Sequence, residues 1–403
     1  MTSPAQATQP TRSAAAVAPG LMIAAIMLVA LNLRAPLTSV PPVLLEIADD
    51  LHLGGAAAGL LTTLPALCMG VFAPVGQRLA RAIGRESTVG WALGLVTVGT
   101  VLRLGGGSTP VLYGATLVLG IGIAIVGTVL PGVIKEHFAA RSGMVTTLFS
   151  AGMAIGAAVA SQLTVPLARL LASWEAGLAT WGALSLLGLV CWLAVTATTR
   201  QRPRGASAPG TGGLPWRSTT AWLLTVYLLG NGWQFFAVIS WVPATFERLG
   251  RDPGSAASLL TMFSLAQAAA GLALPLLVDR VRDLRALIGP AGIITVLGAL
   301  GLTLWPQAAP VLWVVVLGVG LGSGFTLLLV LLVVYAATPS ASARLTAMVF
   351  LVSYPLSALG PMVFGWVADL SGGMRASWGL VLLVAVVQLS LVVQMSPRRR
   401  QVD

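Results

Sequence analysis

The sequence predicts an all-α integral membrane protein, with twelve transmembrane helices arranged as two pseudo-symmetric six-helix bundles. Of its 403 residues, 57% are hydrophobic and only 9% are charged, and the mean hydropathy is +0.91. A soluble domain of this size does not need so apolar a composition. Two further observations support the prediction: a series of apolar segments of spanning length, and a similarity between the two halves of the chain.

Twelve apolar segments are each long enough to cross the hydrocarbon core of a bilayer. Most connections between them are short, so consecutive helices are expected to run antiparallel. The segments occupy about residues 18–47, 56–80, 86–104, 110–135, 142–168, 176–198, 219–246, 254–278, 285–305, 310–336, 343–369 and 376–396.

The two halves of the chain resemble each other, as expected after a duplication. The string AGLLTTL at 58–64 recurs as ASLLTMF at 257–263, and RSGMV at 141–145 recurs as RLTAMV at 344–349, both at an offset of about 200 residues. A stretch rich in Pro, Gly and Arg lies between the halves and has the composition of a linker. The predicted units are a tail (1–17), a six-helix bundle (18–198), a linker (199–218), a second bundle (219–396) and a tail (397–403).

The distribution of basic residues predicts the orientation in the membrane. With the N-terminus in the cytoplasm, 17 of the 23 Lys and Arg residues fall on the cytoplasmic side, five fall outside and Arg34 lies between. Such an asymmetry sets topology, so we expect a multi-pass protein of the cytoplasmic membrane with both termini in the cytoplasm. The net charge of +11 is spread over many loops and does not indicate nucleic-acid binding.

Arg34 lies near the middle of the first apolar segment, where a guanidinium costs roughly 2.5–3.5 kcal/mol on insertion scales. Pro36, Pro41 and Pro42 follow it, and because proline lacks an N–H, the helix is expected to break or bend there. Thr38 lies one turn further on the same face, so a hydroxyl and a guanidinium can point together at a small anion. The alternative is an arginine that neutralises a neighbouring helix C-terminus or reaches toward the surface.

The seventh segment carries a polar and aromatic stripe. Tyr227, Asn231, Gln234 and Trp241 recur at spacings that place them on one face of a helix. In a lipid-buried helix such a face is expected to line a cavity, and the glycines on both sides of Asn231 suggest an interruption of the helix at that level. Hydrogen bonding between helices by Asn231 and Gln234 is the alternative.

Gln267 in the eighth segment and Tyr354 in the eleventh are weaker candidates for contact with a solute. No Asp, Glu or His lies near the centre of a segment, and the sequence contains no nucleophile–base pair, metal cluster or phosphate loop. We therefore expect neither an enzyme nor a bound cofactor or metal. Without a central carboxylate, exchange or facilitated uptake is favoured over carboxylate-mediated proton symport.

Four strings carry a resemblance to a known family. LNLRAPLTSVPPVLLEIADD at 31–50, AGLLTTLPAL at 58–67, LPGVIKEHF at 130–138 and ALGPMVFGWVADLSGG at 358–373 are similar to the cyanate-permease and nitroimidazole-transporter branch of the major facilitator superfamily. The resemblance runs over nearly the whole chain. It implies a twelve-helix transporter of small solutes, often anions or weak acids, with a central site between the halves.

The resemblance also assigns a cytoplasmic gating role to Arg78 and Arg81, at the loop between the second and third segments, and to Asp279 and Arg280, at the equivalent loop of the second half. The superfamily's Asp-Arg-x-Gly loop reads RAIG at 81–84, without the Asp, whereas the second half of the chain keeps Asp279 and Arg280. The branch usually has Gln where Asn231 stands, so the substrates of the family do not transfer directly.

The sequence as a whole favours a secondary active or facilitative transporter that moves a small anionic or weak-acid solute by alternating access, with Arg34 as the central charge. The alternative is an exporter of drug-like organic compounds, for which Trp233, Trp241 and Tyr354 would matter more than Arg34. A sensor or scaffold that does not transport is a third interpretation. The expected partners are the solute and the bilayer, and the expected state is a monomer.

We predict that cysteines introduced at Ser207 and Gly54 face opposite sides of the membrane, because the basic residues place the linker inside and residues 49–55 outside. An impermeant thiol reagent applied to right-side-out cells should label only the cysteine at position 54, in a background that lacks Cys68 and Cys191. Labelling of both positions from the same side would overturn the topology.

Overall fold

The structure is a computed structural model that describes residues 19–138, 141–197, 213–278, 280–281, 283–395 and 402. Within these ranges eleven helical segments are long and apolar enough to span a membrane. A twelfth span is formed by two consecutive helices that bend by 55° at their junction, Gly55–Val71 and Pro74–Ile83. The predicted fold class is therefore confirmed.

Among the described residues of the first half there are nine α-helices, several of which are parts of one span. They are α1 Pro19–Thr38, α2 Leu44–Asp50, α3 Gly55–Val71, α4 Ala73–Ile83, α5 Arg85–Leu102, α6 Thr109–His137, α7 Ser142–Leu170, α8 Trp174–Ala179 and α9 Trp181–Thr196. The second half contains α10 Thr219–Arg248, α11 Pro253–Ala273, α12 Pro275–Val278, α13 Arg285–Leu304, α14 Pro310–Val334, α15 Pro339–Ser357, α16 Gly360–Ser371 and α17 Met374–Val392.

Helix packing repeats from one half to the other. In the first half α1 packs on α7, α5 packs on α6 and α9, and α3 packs on α6. In the second half the equivalent helices make the equivalent contacts: α10 packs on α15, α13 packs on α14 and α17, and α11 packs on α14. The two bundles therefore have the same internal arrangement, as the duplicated strings indicate.

The first span breaks at Pro41 and Pro42, as the sequence predicts, but α1 continues through Pro36. Helix α1 ends at Thr38, a single 3-10 turn follows at Pro41–Val43, and α2 then continues to Asp50. Pro41 and Pro42 provide no N–H for the carbonyls one turn earlier, so the α-helical ladder stops there.

The expected interruption of the seventh segment is wrong. Helix α10 runs without a break from Thr219 to Arg248, through Gly230 and Gly232. A glycine costs a helix about 1 kcal/mol relative to alanine but keeps its backbone N–H, so the hydrogen-bond ladder can continue. Most of this helix is buried against its neighbours, and that packing offsets the cost.

The two halves meet along two seams, where α3 packs on α15 and α16, and α7 packs on α11. Glycines bring the backbones close in the first seam. A Cβ atom at Gly365 would collide with the carbonyl oxygen of Gly55, and one at Gly59 would collide with the carbonyl of Pro361. Only glycine allows α3 and α16 to approach so closely.

Hydrogen bonds and an ion pair join the two halves at one end of the molecule. This end contains the turns at 51–54, 171–173 and 249–252, and we call it the closed end. Asp369 accepts hydrogen bonds from the backbone N–H groups of Gly55 (3.0 Å) and Ala56 (3.2 Å), at the N-terminus of α3. Arg169 forms an ion pair with Asp252 (2.7 Å). Negative charge at a helix N-terminus is favourable, so the first contact also stabilises α3.

We predict that Gly365→Ala destabilises the closed end, because the added methyl group has no room beside Gly55. Overpacking of this kind costs typically about 1–3 kcal/mol. The measurement is the melting temperature of the purified protein in detergent. Gly379→Ala is the matched control, since no heavy atom lies within 4 Å of a Cβ at Gly379 in α17. Equal melting temperatures for the two variants would contradict the prediction.

Candidate functional site

Arg34 lies between the two halves of the molecule. Its guanidinium carbon is 5.4 Å from the ring centroid of Phe235, which belongs to α10 of the other half. The side chain of Arg34 is half-buried rather than enclosed. A cation over an aromatic face is stabilised by about 0.5–2 kcal/mol, depending on its exposure to water.

Arg34 has no carboxylate partner among the described residues. The four ion pairs found in these ranges are formed by other side chains, and no described Asp or Glu comes within 4.0 Å of its guanidinium. A single ring face offsets only part of the cost of a guanidinium at this depth. The site therefore contains a cation whose charge no described side chain neutralises.

Aromatic side chains of two helices of the second half lie near this cation, and each packs against a further aromatic ring. Tyr354 of α15 lies near Arg34, and its ring stacks on Phe350 with the centroids 5.1 Å apart. Phe235 packs against Phe263 of α11, with the centroids 6.3 Å apart. We call these five residues the Arg34 site. It combines one planar cation with several planar aromatic faces.

Sequence reasoning missed Phe235 and Phe263. A phenylalanine in an apolar segment has no feature that distinguishes a cavity wall from the core or the lipid face. Phe235 directly follows Gln234, which is on the polar stripe, but consecutive helix residues point in directions about 100° apart. Contact with Arg34 is decided by how α10 rotates against α1, and the stripe alone does not give that rotation.

Thr38 lies next to the break in α1 and is buried. Its hydroxyl is within hydrogen-bond distance of the carbonyl oxygens of Arg34 (3.0 Å) and Ala157 (3.2 Å). The single hydroxyl proton can be donated to one of these acceptors at a time. Thr38 thus ties α1 to α7, and a direct role in binding a solute stays a prediction.

The polar stripe of α10 is buried and bonded to protein groups in this structure. Gln234 donates to the side chain of Gln388 (2.7 Å), Asn231 donates to the carbonyl of Leu321 (3.2 Å), and Trp241 donates to a carbonyl of α16 (2.8 Å). Tyr227 is buried beside them. These contacts fit the alternative of hydrogen bonding between helices, and contact with a solute stays a prediction for all four residues.

Gln267 is half-buried on α11, and its side chain lies beside Gly322 of α14. Arg78, Arg81 and Arg280 are exposed, and none of them forms an ion pair with another described residue. Asp279 lies outside the described residues. A gating role for these two loops stays a prediction.

Arg103 is a residue whose importance the sequence did not reveal. It follows α5 and is completely buried. Its Nη1 donates to the carbonyl oxygen of Pro36 (2.9 Å), which also accepts from the hydroxyl of Ser39 (3.1 Å). A cation at the carbonyl end of a helix is favourable. Pro36 lies in the last turn of α1, and the carbonyls of a helix's last turn have no donor within the helix. The predicted end of the helix was therefore the available signal.

The fold and this central site define a class: a polytopic transporter built from two related helical bundles. The chain belongs to the Major Facilitator Superfamily, whose family model matches residues 21–361. It is similar to the 2-nitroimidazole transporter of Escherichia coli (33% identity, covering 93% of this chain and 94% of the relative) and to the cyanate transport protein CynX of Escherichia coli (30%, covering 94% and 98%). It is also similar to the uncharacterized transporter YycB of Bacillus subtilis (29%, covering 91% and 90%).

Solved structures have the same fold. A bacterial homologue of the human lysosomal transporter Spinster, in an inward-facing and occupied conformation, aligns with a TM-score of 0.73 at 16% identity and covers 93% of this chain and 96% of its own. The D-xylose–proton symporter aligns with a TM-score of 0.71 at 14% identity, covering 93% and 97%. The family resemblance drawn from the four strings is confirmed.

We predict that Arg103→Met destabilises the protein by about 1–3 kcal/mol, because it removes a charged donor from the buried carbonyl of Pro36. Thermal unfolding in detergent measures the effect. Arg375→Met is the control, since Arg375 is exposed at the start of α17. An unchanged melting temperature for Arg103→Met would show that Ser39 alone satisfies that carbonyl.

Proposed function

We propose that this transporter moves a small anionic or weak-acid solute by alternating access, and that Arg34 binds the charge of that solute between the halves. The proposal depends on one observation: the guanidinium of Arg34 lies between the two bundles, and no described carboxylate forms an ion pair with it. A bound anion would supply the missing counter-ion, and the loaded site would then be electrically neutral.

The aromatic residues of the Arg34 site favour a planar solute. Phe235 covers one face of the guanidinium, and Tyr354 stacked on Phe350 offers a second flat surface nearby. The planar fork of an arginine can donate two parallel hydrogen bonds to an oxyanion, whereas a lysine provides a compact point charge. A small, flat ion or acid matches both features.

The closed end supports alternating access. The hydrogen bonds and the ion pair observed between the two halves within the described ranges, such as the Asp369 and Arg169 contacts, lie in the part of the molecule toward that end. If the turn at 51–54 is external, as the basic residues predict, this arrangement closes the site to the outside. Release of those contacts would allow the halves to open on that side.

An exporter of drug-like organic compounds is the second candidate. The same aromatic residues favour it, and one relative is named a 2-nitroimidazole transporter. In that case ring stacking would contribute more to binding than the charge of Arg34. The two candidates therefore differ in which side chain the affinity depends on.

We predict that Arg34→Ala weakens binding of a small anion roughly ten- to a hundred-fold, because a hydrogen bond to a charged group is worth about 1.5–3 kcal/mol. Arg34→Lys should restore little, since it lacks the planar fork. The measurement is the ligand-induced rise in melting temperature of purified protein, with sodium cyanate and 2-nitroimidazole as probes.

Arg251→Ala is the matched control, because Arg251 also lies over a ring, that of Phe246 at 5.8 Å, but outside the Arg34 site. It should leave the shifts unchanged. If Arg34→Ala binds cyanate as the parent does, the charge assignment is wrong. If 2-nitroimidazole binding survives Arg34→Ala and is lost in Phe235→Leu, the second candidate is favoured.

A further inference from the structure

A cavity of about 300 Å³ lies between the two halves at the closed end. It is separate from the Arg34 site and shares none of its residues. Both halves line it. The first half contributes the 3-10 turn at Pro41–Val43, α2, α7 and the turn after α7, and the second half contributes the end of α10 and the start of α11. The lining residues are Pro42, Val43, Glu46, Val165, Ala168, Arg169, Ala172, Ser173, Glu247 and Pro253.

Glu247 occupies an unusual position in this cavity. It lies at the last turn of α10, and its Oε1 atom is buried without a hydrogen-bond partner among the described residues. An ionised carboxylate that lacks donors is costly to bury, whereas a protonated carboxyl carries no charge. The surroundings are thus suited to the neutral form.

The charged groups around Glu247 add to this preference. Glu46 of α2 and Asp252 of the turn before α11 are the carboxylates that act on it electrostatically. Glu46 in turn faces Asp50, Glu175 and the guanidinium of Arg169. Arg169 is the one cation of this group, and it is already bonded to Asp252 at 2.7 Å.

Glu46 and Glu247 belong to different halves. A negative charge on Glu247 would therefore repel Glu46 across the seam that the closed end holds together. Separation of the halves would admit water to both carboxylates and relieve the repulsion. The protonation state of one residue is in this way linked to the separation of the two bundles.

We propose that Glu247 makes the closed end proton-sensitive: with Glu247 protonated the halves stay together, and with Glu247 ionised this end opens. The sign follows from linkage. The closed end binds the proton of Glu247 more tightly than the open end does, so closure is favoured at low pH and is lost as the pH rises. Since one proton is involved, the ratio of open to closed molecules changes at most about tenfold per pH unit.

This proposal goes beyond the nature of the solute, and it does not rest on the role of Arg34. The sequence favours transport without proton coupling because no carboxylate lies near the centre of a segment. That reason does not apply to a carboxylate at a helix end. Glu247 lies at a helix end, and residues of the other half, Glu46 among them, line the cavity beside it. A proton bound there can couple to the opening step without being near the solute.

The test measures distances with spin labels and uses no solute. Labels are attached at Leu171→Cys and Leu249→Cys, which are exposed at the closed end on opposite halves, in a Cys68→Ala, Cys191→Ala background. Pulsed electron paramagnetic resonance from about pH 5 to about pH 8.5 should show a growing population of longer distances as the pH rises.

Glu247→Gln should hold the closed distance at every pH, and Glu46→Gln should reduce the size of the pH response. Glu136→Gln is the matched control and should keep the parent profile. Glu136 of α6 forms an ion pair with Arg85 of α5 (2.7 Å), away from the cavity. A parent profile that does not change with pH would overturn the proposal. So would a Glu247→Gln profile equal to that of the parent. If that variant does not fold, an unaltered response in Glu46→Gln would overturn the proposal in the same way.

Discussion

The central constraint on this molecule is a guanidinium near the middle of the first membrane-spanning segment that no described carboxylate pairs. Arg34 has a ring face of Phe235 for partial stabilisation and no described carboxylate beside it. The cost of such a charge is large enough that a chain would not keep it without a compensating gain. The position between two bundles provides that gain in the proposed function, because a solute can be the counter-ion.

Hydrogen bonds on both sides of Arg34 hold helix α1 against its neighbours, with the Arg34 side chain between the two halves. Asn32 bonds to α9 on one side, accepting from Ser185 (2.8 Å) and donating to the carbonyl of Leu184 (3.2 Å). Beyond Arg34, the hydroxyl of Thr38 reaches α7, and Arg103 holds the end of the helix. Each neutral hydrogen bond contributes only about 0.5–1.5 kcal/mol net, but together they fix the helix on both sides of its charge.

The contacts between the halves are mainly apolar. Buried apolar residues of both halves, such as Leu61, Phe263 and Phe364, belong to one hydrophobic cluster. The polar contacts seen between the bundles among the described residues are a few hydrogen bonds and an exposed ion pair, and an exposed ion pair contributes little to stability. Glycine contacts such as those of Gly365 allow close approach and add no side chains that would have to separate.

The sequence alone determined the membrane-embedded, duplicated twelve-span architecture and the break beside Arg34. Hydropathy over a spanning length and the missing N–H of Pro41 and Pro42 act locally, so they can be read from neighbouring residues. The tertiary structure decided what each side chain meets. It kept α10 continuous, bonded Gln234 to Gln388, and placed Phe235 over Arg34. It also brought Glu46 and Glu247, about 200 positions apart in the sequence, to one cavity. Those outcomes depend on the rotation of one helix against another, and that rotation is set by packing over the whole bundle, not by the pattern within one segment.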